Sequence, residues 1–341
     1  MDKKETFERY SRQMLFAPIG ADGQSKLSAA SVLIVGMGAL GTVLANHMVR
    51  AGVGHVRFVD RDYVEASNLQ RQMLYDEDDV RGSLPKAIAA ERKLARINSL
   101  VKLEPVVADV TTANIMTLMD GVDLVLDGTD NFHTRFLLND ACFKLGIPFV
   151  YGGAVGSRGM SASFVPGVTP CLRCLIQPGD GTAETCDRVG VLSPVVDISA
   201  SFQAVEALKL LVGAGSARRT SLVTFDVWHN YHYEMKIGTP NPECPTCGTH
   251  EYPSLHANEA EEVGSLCGRE TVQFRLAARF DLAEWEDRLS GAVTVERNPF
   301  LLKAHLPEGE RIVLFPDGRA LVQGTEDPVR AKTLYARYIG M

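Results

Sequence analysis

The first 150 residues alternate between two hydrophobic periods. The short apolar run at 31–35 predicts a buried strand, and the helical spacing of apolar residues that follows predicts a helix through Arg50. The same alternation continues with strands near 55–59, 101–107, 122–126 and 149–151 and with helices at 86–97 and 131–145. Strands that alternate with helices in this way predict an α/β fold with a Rossmann-like, doubly wound sheet.

The pattern becomes less regular after residue 151. Residues 152–165 are glycine-rich and β-like, and a helix at 195–212 and strands near 222–227 and 232–237 follow. This segment predicts a mixed β continuation of the same sheet. We therefore expect one large domain at 1–248.

The last part of the chain has its own composition. Residues 249–270 are polar and acidic, which is typical of a linker, and residues 271–341 alternate between short strand and helix patterns. The predicted helices are 282–289 and 328–338. We expect a small α+β domain at 271–341.

A glycine pattern links the first strand to the first helix. Gly36 permits a tight turn, Gly38 lets the backbone approach a phosphate, and Gly41 lets helix and strand pack closely. Asp60 ends the second strand, where its carboxylate could accept both ribose hydroxyls. The pattern predicts an adenine-nucleotide site.

The residues that follow Asp60 indicate how the phosphates are handled. Cationic and amide side chains suited to a triphosphate cluster on the ligand side of the sheet, namely Asn68, Gln70, Arg71, Gln72 and Lys86. Asp127 and Asp130 could hold Mg²⁺ through carboxylate oxygens. No G-K-[ST] sequence follows the glycines, which disfavours P-loop phosphoryl transfer.

Four of the seven cysteines form two tight pairs. Cys171 and Cys174, with Cys244 and Cys247, offer the four soft ligands that close a tetrahedral Zn²⁺ site, which leaves no open position for catalysis. The alternative is a set of redox dithiols or buried thiols.

Composition excludes several classes of protein. The net charge of −7 argues against nucleic acid as the main ligand, and no apolar run approaches a membrane span. The charged start of the sequence has no apolar targeting core, and thiolate metal ligation suits a reducing compartment. We expect a cytoplasmic protein of 341 residues.

These motifs together resemble the E1-like adenylyltransferases of the ThiF and MoeB type. The resemblance covers residues 7–248. It is carried, in chain order, by RYSRQ at 9–13, GMGALG at 36–41, DRD at 60–62, SNLQRQ at 67–72, Lys86, DGTDN at 127–131, CDRVGV at 186–191, PVV at 194–196 and both C-x-x-C pairs. The family's usual loop has another glycine where this chain has Ala39, which adds only a methyl group.

The resemblance implies a reaction and its cofactors. It implies that ATP and Mg²⁺ are used to adenylate the C-terminal glycine carboxylate of a ubiquitin-fold sulfur carrier protein, with release of pyrophosphate. A carboxylate nucleophile is already ionised and needs no general base, which suits motifs rich in Arg and Lys that contain none of the eight histidines.

The resemblance also implies residue roles. Asp60 is expected to bind the ribose, Asn68, Arg71 and Lys86 the phosphates, and Asp130 Mg²⁺. Their motif neighbours Ser67, Gln70 and Asn131 are expected to contribute to nucleotide binding. Arg12 is expected to reach the active site of a neighbouring protomer, which implies a homodimer.

Cys186 stands apart from the nucleotide motifs. In relatives a cysteine of this loop joins covalently to the activated carrier, and Arg188 could favour its thiolate. A free loop thiol is the alternative. Cys267 does not lie in the Cys-Arg-x-Gly arrangement of a rhodanese, so we expect a separate sulfur donor such as a cysteine desulfurase.

Two other functions remain open on the sequence alone. An NAD-dependent Rossmann oxidoreductase and a non-catalytic nucleotide- and zinc-binding scaffold share the glycine pattern. The carrier is also open between ThiS-like, for the thiamine thiazole, and MoaD-like, for molybdopterin. Of these two we prefer the ThiS-like carrier.

Overall fold

A computed structural model describes residues 8–176, 189–256, 264–266, 270–275 and 279–340. It divides the chain into two compact units, Met1–Ala257 and Asn258–Met341. Among the described residues, no helix combines the length and apolar character needed to cross a membrane.

The first unit contains eight strands and nine α-helices within the described residues. In chain order these are α1 Ser11–Met14, α2 Gly20–Ala29, β1 Ser31–Val35, α3 Ala39–Ala51, β2 His55–Asp60, α4 Glu77–Arg81, α5 Lys86–Ile97, β3 Lys102–Val107, α6 Ile115–Leu118, β4 Leu124–Asp127, α7 Phe132–Leu145, β5 Phe149–Val155, β6 Arg158–Phe164, α8 Leu172–Leu175, α9 Ser193–Val212, β7 Ser221–Asp226 and β8 Tyr231–Lys236. Short 3₁₀ turns lie at Ala66–Asn68, Gly215–Ala217 and Pro253–Leu255.

All eight strands form one sheet in the order β3-β2-β1-β4-β5-β6-β7-β8. The pairs from β3 to β5 are parallel, and those from β5 to β8 are antiparallel. Because β1 lies between β2 and β4, the strand order reverses there, which opens a crevice at the carboxyl ends of these strands. The predicted Rossmann-like sheet with a mixed continuation is confirmed.

Helices cover both faces of the parallel part of the sheet. Alternate β1 residues divide between two cores: Val32 and Ile34 pack with α2, α3, α5 and α9, whereas Leu33 and Val35 pack with α6 and α7. A central strand buried on both faces has the continuous apolar sequence seen at 31–35.

The second unit is an antiparallel sheet with two helices. Its described elements are β9 Gly264–Leu266, β10 Thr271–Arg275, α10 Leu282–Ser290, β11 Thr294–Arg297, β12 Leu302–His305, β13 Arg311–Leu314, β14 Arg319–Gln323 and α11 Pro328–Tyr338. The strand order is β11-β12-β13-β14-β10-β9. Both helices contribute to one core with the apolar face of the sheet, through residues such as Leu289 and Leu334.

The predicted linker at 249–270 differs from the structure at both ends. Residues 253–255 form a 3₁₀ turn, and the Ser254 amide donates to Asp140 in α7 at 2.8 Å. At the other end, Gly264–Leu266 pairs with β10. Polar composition concealed both elements: a distant residue, Asp140, holds the 3₁₀ turn, and the three-residue strand is too short to show a periodic pattern. The domain boundary itself stays a prediction.

Candidate nucleotide site and cysteine cluster

The glycine loop between β1 and α3 is shaped by close backbone packing. Gly36 has φ +88°, in the left-handed region that favours glycine. A Cβ on Gly41 would lie 1.8 Å from the Gly36 carbonyl oxygen, so a side chain there would separate helix from loop. At Gly38 the corresponding space is open, with Gln72 Nε2 nearest at 3.9 Å. That opening suits the approach of a phosphate to the backbone.

Asp60 lies at the end of β2 beside this loop. Its Oδ2 accepts from the Met37 amide at 2.6 Å, and its Oδ1 accepts from the Asp62 amide at 2.7 Å. Burial raises the pKa of Asp60, the Lys86 charge opposes this, and Asp62 adds to it. Each carboxylate oxygen has a second lone pair, so these backbone bonds leave acceptor capacity for hydroxyl groups.

The polar side chains of the segment after β2 differ from one another in burial and in hydrogen bonding. Asn68 is buried, and its Oδ1 accepts from the Glu65 amide at 3.0 Å, which fixes the start of the 3₁₀ turn. Arg71 Nη1 donates to the Ser67 carbonyl at 3.0 Å. Ser67 and Gln70 are exposed. Arg71 is therefore held by its own turn.

Lys86 begins α5 and is only 3% exposed. Its ammonium lies 3.3 Å from Asp62 Oδ2. The buried hydroxyl of Tyr75 lies 2.7 Å from the Met37 carbonyl oxygen and 3.1 Å from that of Lys86, and the two acceptors share its single proton. Tyr75 thus joins the glycine loop to the helix that carries Lys86.

The loop from Asp127 to Asp130 follows β4. Asp127 is fully buried, with Oδ1 accepting from the Thr129 amide at 2.8 Å and Oδ2 accepting from Arg135 Nε at 3.0 Å. Burial raises the pKa of Asp127, and the Arg135 charge opposes this. Asp127 Oδ1 also accepts from Thr129 Oγ1 at 2.7 Å. Because the Asp127 carboxylate has no exposed surface, the structure does not present it as a magnesium ligand. Asp130 is exposed.

Asn131 caps α7. Its Oδ1 accepts from the Thr134 amide at 2.8 Å. This contact gives Asn131 a structural role beside the nucleotide role implied by the resemblance.

The structure brings most of the predicted nucleotide residues to one edge of the sheet. The Gly36 amide donates to the Val59 carbonyl, and the Gly128 amide donates to the Val35 carbonyl, each at 2.8 Å. The glycine loop, Asp60 and the 127–130 loop therefore adjoin, with Lys86 linked to them through Tyr75. These features meet at the carboxyl ends of β1, β2 and β4, which is where open α/β sheets bind their ligands.

Two predicted site residues stand outside this group. Arg12 is an exposed residue of α1. Cys186 lies outside the described residues, so its role stays a prediction.

The four paired cysteines converge on one point. Their sulfur atoms all lie within 4.8 Å of one another, with 3.6 Å between Cys171 and Cys244 and 3.4 Å between Cys174 and Cys247. Burial together with contact with Cys174 raises the pKa of Cys247 to about 11. A bound metal ion favours the thiolate form of clustered cysteines. Four sulfur ligands in this arrangement suit a tetrahedral metal ion.

A buried polar network supports the cluster. Asp140 in α7 accepts from Arg173 Nη2 at 3.1 Å and from Thr246 Oγ1 at 2.5 Å. Arg173 and Thr246 each lie inside one C-x-x-C pair. Asn139, which precedes Asp140 in α7, accepts from the Leu172 amide through its Oδ1 at 2.8 Å. The two cysteine turns are thus tied to the same helix.

Sequence reasoning missed Asp140, Arg135 and Tyr75. Asp140 leaves a weak signal, because a carboxylate between the apolar residues Leu138 and Ala141 is unusual on a core-facing helix. Arg135 and Tyr75 leave none, since the fold alone brings their partners together: the Asp127 carboxylate and backbone carbonyls for Arg135, and backbone carbonyls for Tyr75.

Comparison with known protein families identifies the class of the chain. The ThiF family matches residues 10–246. The chain belongs to the ThiF family.

Individual relatives extend the match. The sulfur carrier protein ThiS adenylyltransferase of Bacillus subtilis is 47% identical over 336 residues, which are 97% of this chain and 99% of that protein. The sulfur carrier protein adenylyltransferase of Thermus thermophilus is 39% identical and covers 72% of this chain and 92% of its own length. The adenylyltransferase and sulfurtransferase MOCS3 of Sus scrofa is 37% identical and covers 76% of this chain, which spans 56% of that protein.

Among solved structures, Escherichia coli MccB with ATP superposes with a TM-score of 0.62. It covers 70% of this chain and 74% of its own, at 22% identity. This likeness establishes the shared fold.

Proposed function

We propose that the protein uses ATP to adenylate the C-terminal glycine carboxylate of a ubiquitin-fold sulfur carrier protein. The observation that carries the proposal is the meeting of the glycine loop, Asp60, Lys86 and the 127–130 loop at one sheet edge. Membership of the ThiF family and the 47% identity to a ThiS adenylyltransferase support it.

The chemistry suits the side chains at this edge. A carboxylate oxygen of the carrier attacks the α-phosphorus of ATP, a new O–P bond forms, and the bond to the β-phosphate oxygen breaks as pyrophosphate leaves. The nucleophile is already ionised, so the protein must align two anions and neutralise the charge that moves onto pyrophosphate. Lys86 and Arg71 supply positive charge for this purpose.

We assign the remaining nucleotide contacts by position. Asp60 accepts the ribose hydroxyls, and Asn68 binds the phosphates with Arg71 and Lys86. Ser67, Gln70 and Asn131 complete the nucleotide site from the two flanking loops. Gln72 is buried beside Gly38, and its Oε1 has no hydrogen-bond partner within the described structure. It is therefore a further candidate for a nucleotide contact.

Mg²⁺ is assigned to Asp130. The fit rests on one exposed carboxylate, which lies in the loop after β4 whose Gly128 packs against Gly36 of the glycine loop. Mg²⁺ commonly takes one or two protein carboxylates together with water and substrate phosphates. When bound, the ion neutralises charge on the phosphates.

The four-cysteine cluster is assigned to structural Zn²⁺. Four thiolates close a tetrahedral site and leave no position for substrate. The ion would fasten the 171–174 turn to the 244–247 turn beneath α7.

We also propose a homodimer in which Arg12 serves the partner's active site. The apolar side chains of Leu15 and Phe16, which follow Arg12, are 73% and 61% exposed. Exposed apolar residues beside a cation suit a protein interface.

The preferred carrier is ThiS-like. The relative with this substrate in its name aligns across both units of the chain, whereas MOCS3 is longer and carries a sulfurtransferase in its name. The sulfur donor is accordingly proposed to be a separate protein such as a cysteine desulfurase.

The test is exchange of labelled pyrophosphate into ATP in the presence of purified carriers. We expect exchange with a ThiS-like carrier, less with a MoaD-like carrier, and none with a ThiS-like carrier that lacks its C-terminal glycine. Exchange that is absent with every intact carrier, from protein that binds ATP, would refute the proposed reaction.

A further inference from the structure

The reaction described above makes no use of Arg135, although this side chain is only 7% exposed. The guanidinium carbon lies 5.1 Å from the ring centroids of both Phe132 and Tyr151. Placing a cation between two aromatic faces restricts its orientation. Arg135 is therefore held rigidly in the first turn of α7.

Arg135 directs its donors at the 127–130 loop and the neighbouring strand. Nε donates to Asp127 Oδ2 at 3.0 Å, and Nη2 donates to the carbonyls of Thr129 at 2.7 Å and Gly152 at 3.0 Å. One guanidinium thus holds a carboxylate at the start of the loop and a carbonyl immediately before Asp130. The planar fork of Arg makes this possible, whereas the single nitrogen of Lys does not reproduce it.

The same loop is packed against the glycine loop. A Cβ on Gly36 would lie 2.7 Å from the Gly128 carbonyl oxygen, and one on Gly128 would lie 2.4 Å from the Gly36 carbonyl oxygen. There is no free space between the two backbones. A shift of the 127–130 loop would therefore move Asp130 relative to the phosphates or displace the glycine loop.

We propose that Arg135 is a positioning residue that sets the Asp130 carboxylate relative to the glycine loop. Its Nε and Nη2 donate to the protein itself, and it acts by fixing the backbone that carries the proposed Mg²⁺ ligand. The inference rests on the proposed assignment of Mg²⁺ to Asp130. It predicts that Arg135 determines how much Mg²⁺ is needed for tight ATP binding.

The test compares Arg135→Lys with the matched control Arg57→Lys. Arg57 has similar bonds: its Nε pairs with Glu104 at 2.8 Å, and its Nη1 donates to the carbonyls of Leu118 at 2.6 Å and Asp120 at 3.1 Å. These carbonyls precede β4, at the opposite end of the sheet from Asp130. Both substitutions keep the positive charge and lose the planar set of guanidinium donors.

ATP affinity is measured by calorimetry over a series of Mg²⁺ concentrations, without carrier, together with thermal unfolding. We expect Arg135→Lys to raise the half-saturating Mg²⁺ concentration by roughly 10-fold or more, the range typical when a residue that orients a metal ligand is lost. Arg57→Lys should keep the wild-type value even if it lowers the unfolding temperature. Since half-saturation does not depend on the amount of folded protein, partial unfolding does not mimic the effect.

Three results would overturn the inference: a wild-type Mg²⁺ requirement in Arg135→Lys, an equal shift in Arg57→Lys, or wild-type ATP binding that does not respond to Mg²⁺. Failure of the proposed function has a different signature. In that case carrier-dependent pyrophosphate exchange is absent while the Mg²⁺ titration still separates Arg135→Lys from its control.

Discussion

The ammonium of Lys86 lies 3.3 Å from the Asp62 carboxylate, and the Lys86 amide donates to the Asp62 carbonyl at 2.9 Å. The two residues are therefore paired through both backbone and side chain. This double link places a buried cation at the end of β2, beside Asp60. Burying a charged group is costly unless it is paired, and Asp62 supplies the partner for Lys86, which is 3% exposed.

The first prediction follows from this pairing. Lys86→Met keeps an unbranched side chain but removes the charge that opposes the build-up of negative charge on pyrophosphate. We expect carrier-dependent pyrophosphate exchange to fall by roughly 10²-fold or more, because the lost interaction strengthens in the transition state. Arg71→Ala should act in the same direction.

The control for Lys86→Met lies on the same helix. Lys93 also pairs with carboxylates, Asp76 and Asp79, but two turns further along α5. Lys93→Met should keep nearly wild-type exchange. If Lys93→Met lost exchange as Lys86→Met does, the loss would come from disturbing α5 and not from removing the charge at position 86.

The sequence predicted α5 with the bounds that the structure has, 86–97. Pro85 and Asn98 mark its ends, and its apolar face follows helical spacing, so local chemistry decides it. The nucleotide loops were predictable for the same reason: their glycines and acids follow strands directly. Asp127 was not. Asp127 is the last residue of β4, and its burial, with Thr129 on Oδ1 and Arg135 from α7 on Oδ2, becomes evident only in the folded structure.

The cysteine cluster also combines a feature that the local sequence predicts with one that only the fold reveals. The pairing of Cys171–Cys174 with Cys244–Cys247 was predictable from spacing alone. Its support by Asp140 was not, because Arg173, Thr246 and Ser254 reach that carboxylate from segments distant in sequence. A buried hydrogen-bond network depends on the whole fold.

The second prediction concerns metal content. We expect one tightly bound zinc per chain, and Cys247→Ser should lower both the zinc content and the free energy of unfolding, since metal binding contributes directly to folding. Cys142→Ser, which alters a buried α7 cysteine outside the cluster, should retain zinc. Elemental analysis and urea unfolding with and without chelator provide the measurements. Protein that contains no zinc and unfolds identically with chelator would contradict the assignment.

The third prediction tests Arg12 across the proposed dimer. Arg12→Ala and Lys86→Ala should each lose exchange as pure proteins. After subunit exchange, a mixed dimer contains one site with both residues intact, so activity should recover toward one quarter of wild type in an equal mixture. This fraction follows because half of the dimers are mixed and each has one working site of two.

The control for the mixing experiment is Lys86→Ala combined with Arg71→Ala. Both residues belong to the same protomer's site, so each site of a mixed dimer lacks one of them and this pair should show no recovery. Subunit exchange is shown separately by native mass spectrometry of dimers that contain one tagged and one untagged protomer. Once exchange is demonstrated, no recovery with Arg12→Ala would place Arg12 outside the partner's site.

The last prediction separates adenylation from the step that follows it. Formation of the acyl adenylate requires ATP, Mg²⁺ and positive charge but no protein thiol, whereas a covalent enzyme–carrier adduct requires a nucleophile such as the Cys186 thiolate. Cys186→Ser should therefore keep carrier-dependent pyrophosphate exchange and lose the adduct seen by intact mass spectrometry. Cys142→Ser should keep both, since burial raises the pKa of Cys142 well above its usual range and leaves it a thiol. Loss of exchange in folded Cys186→Ser protein, to the level of Lys86→Ala, would assign Cys186 to the adenylation site itself, because only a residue needed before pyrophosphate leaves can abolish the exchange.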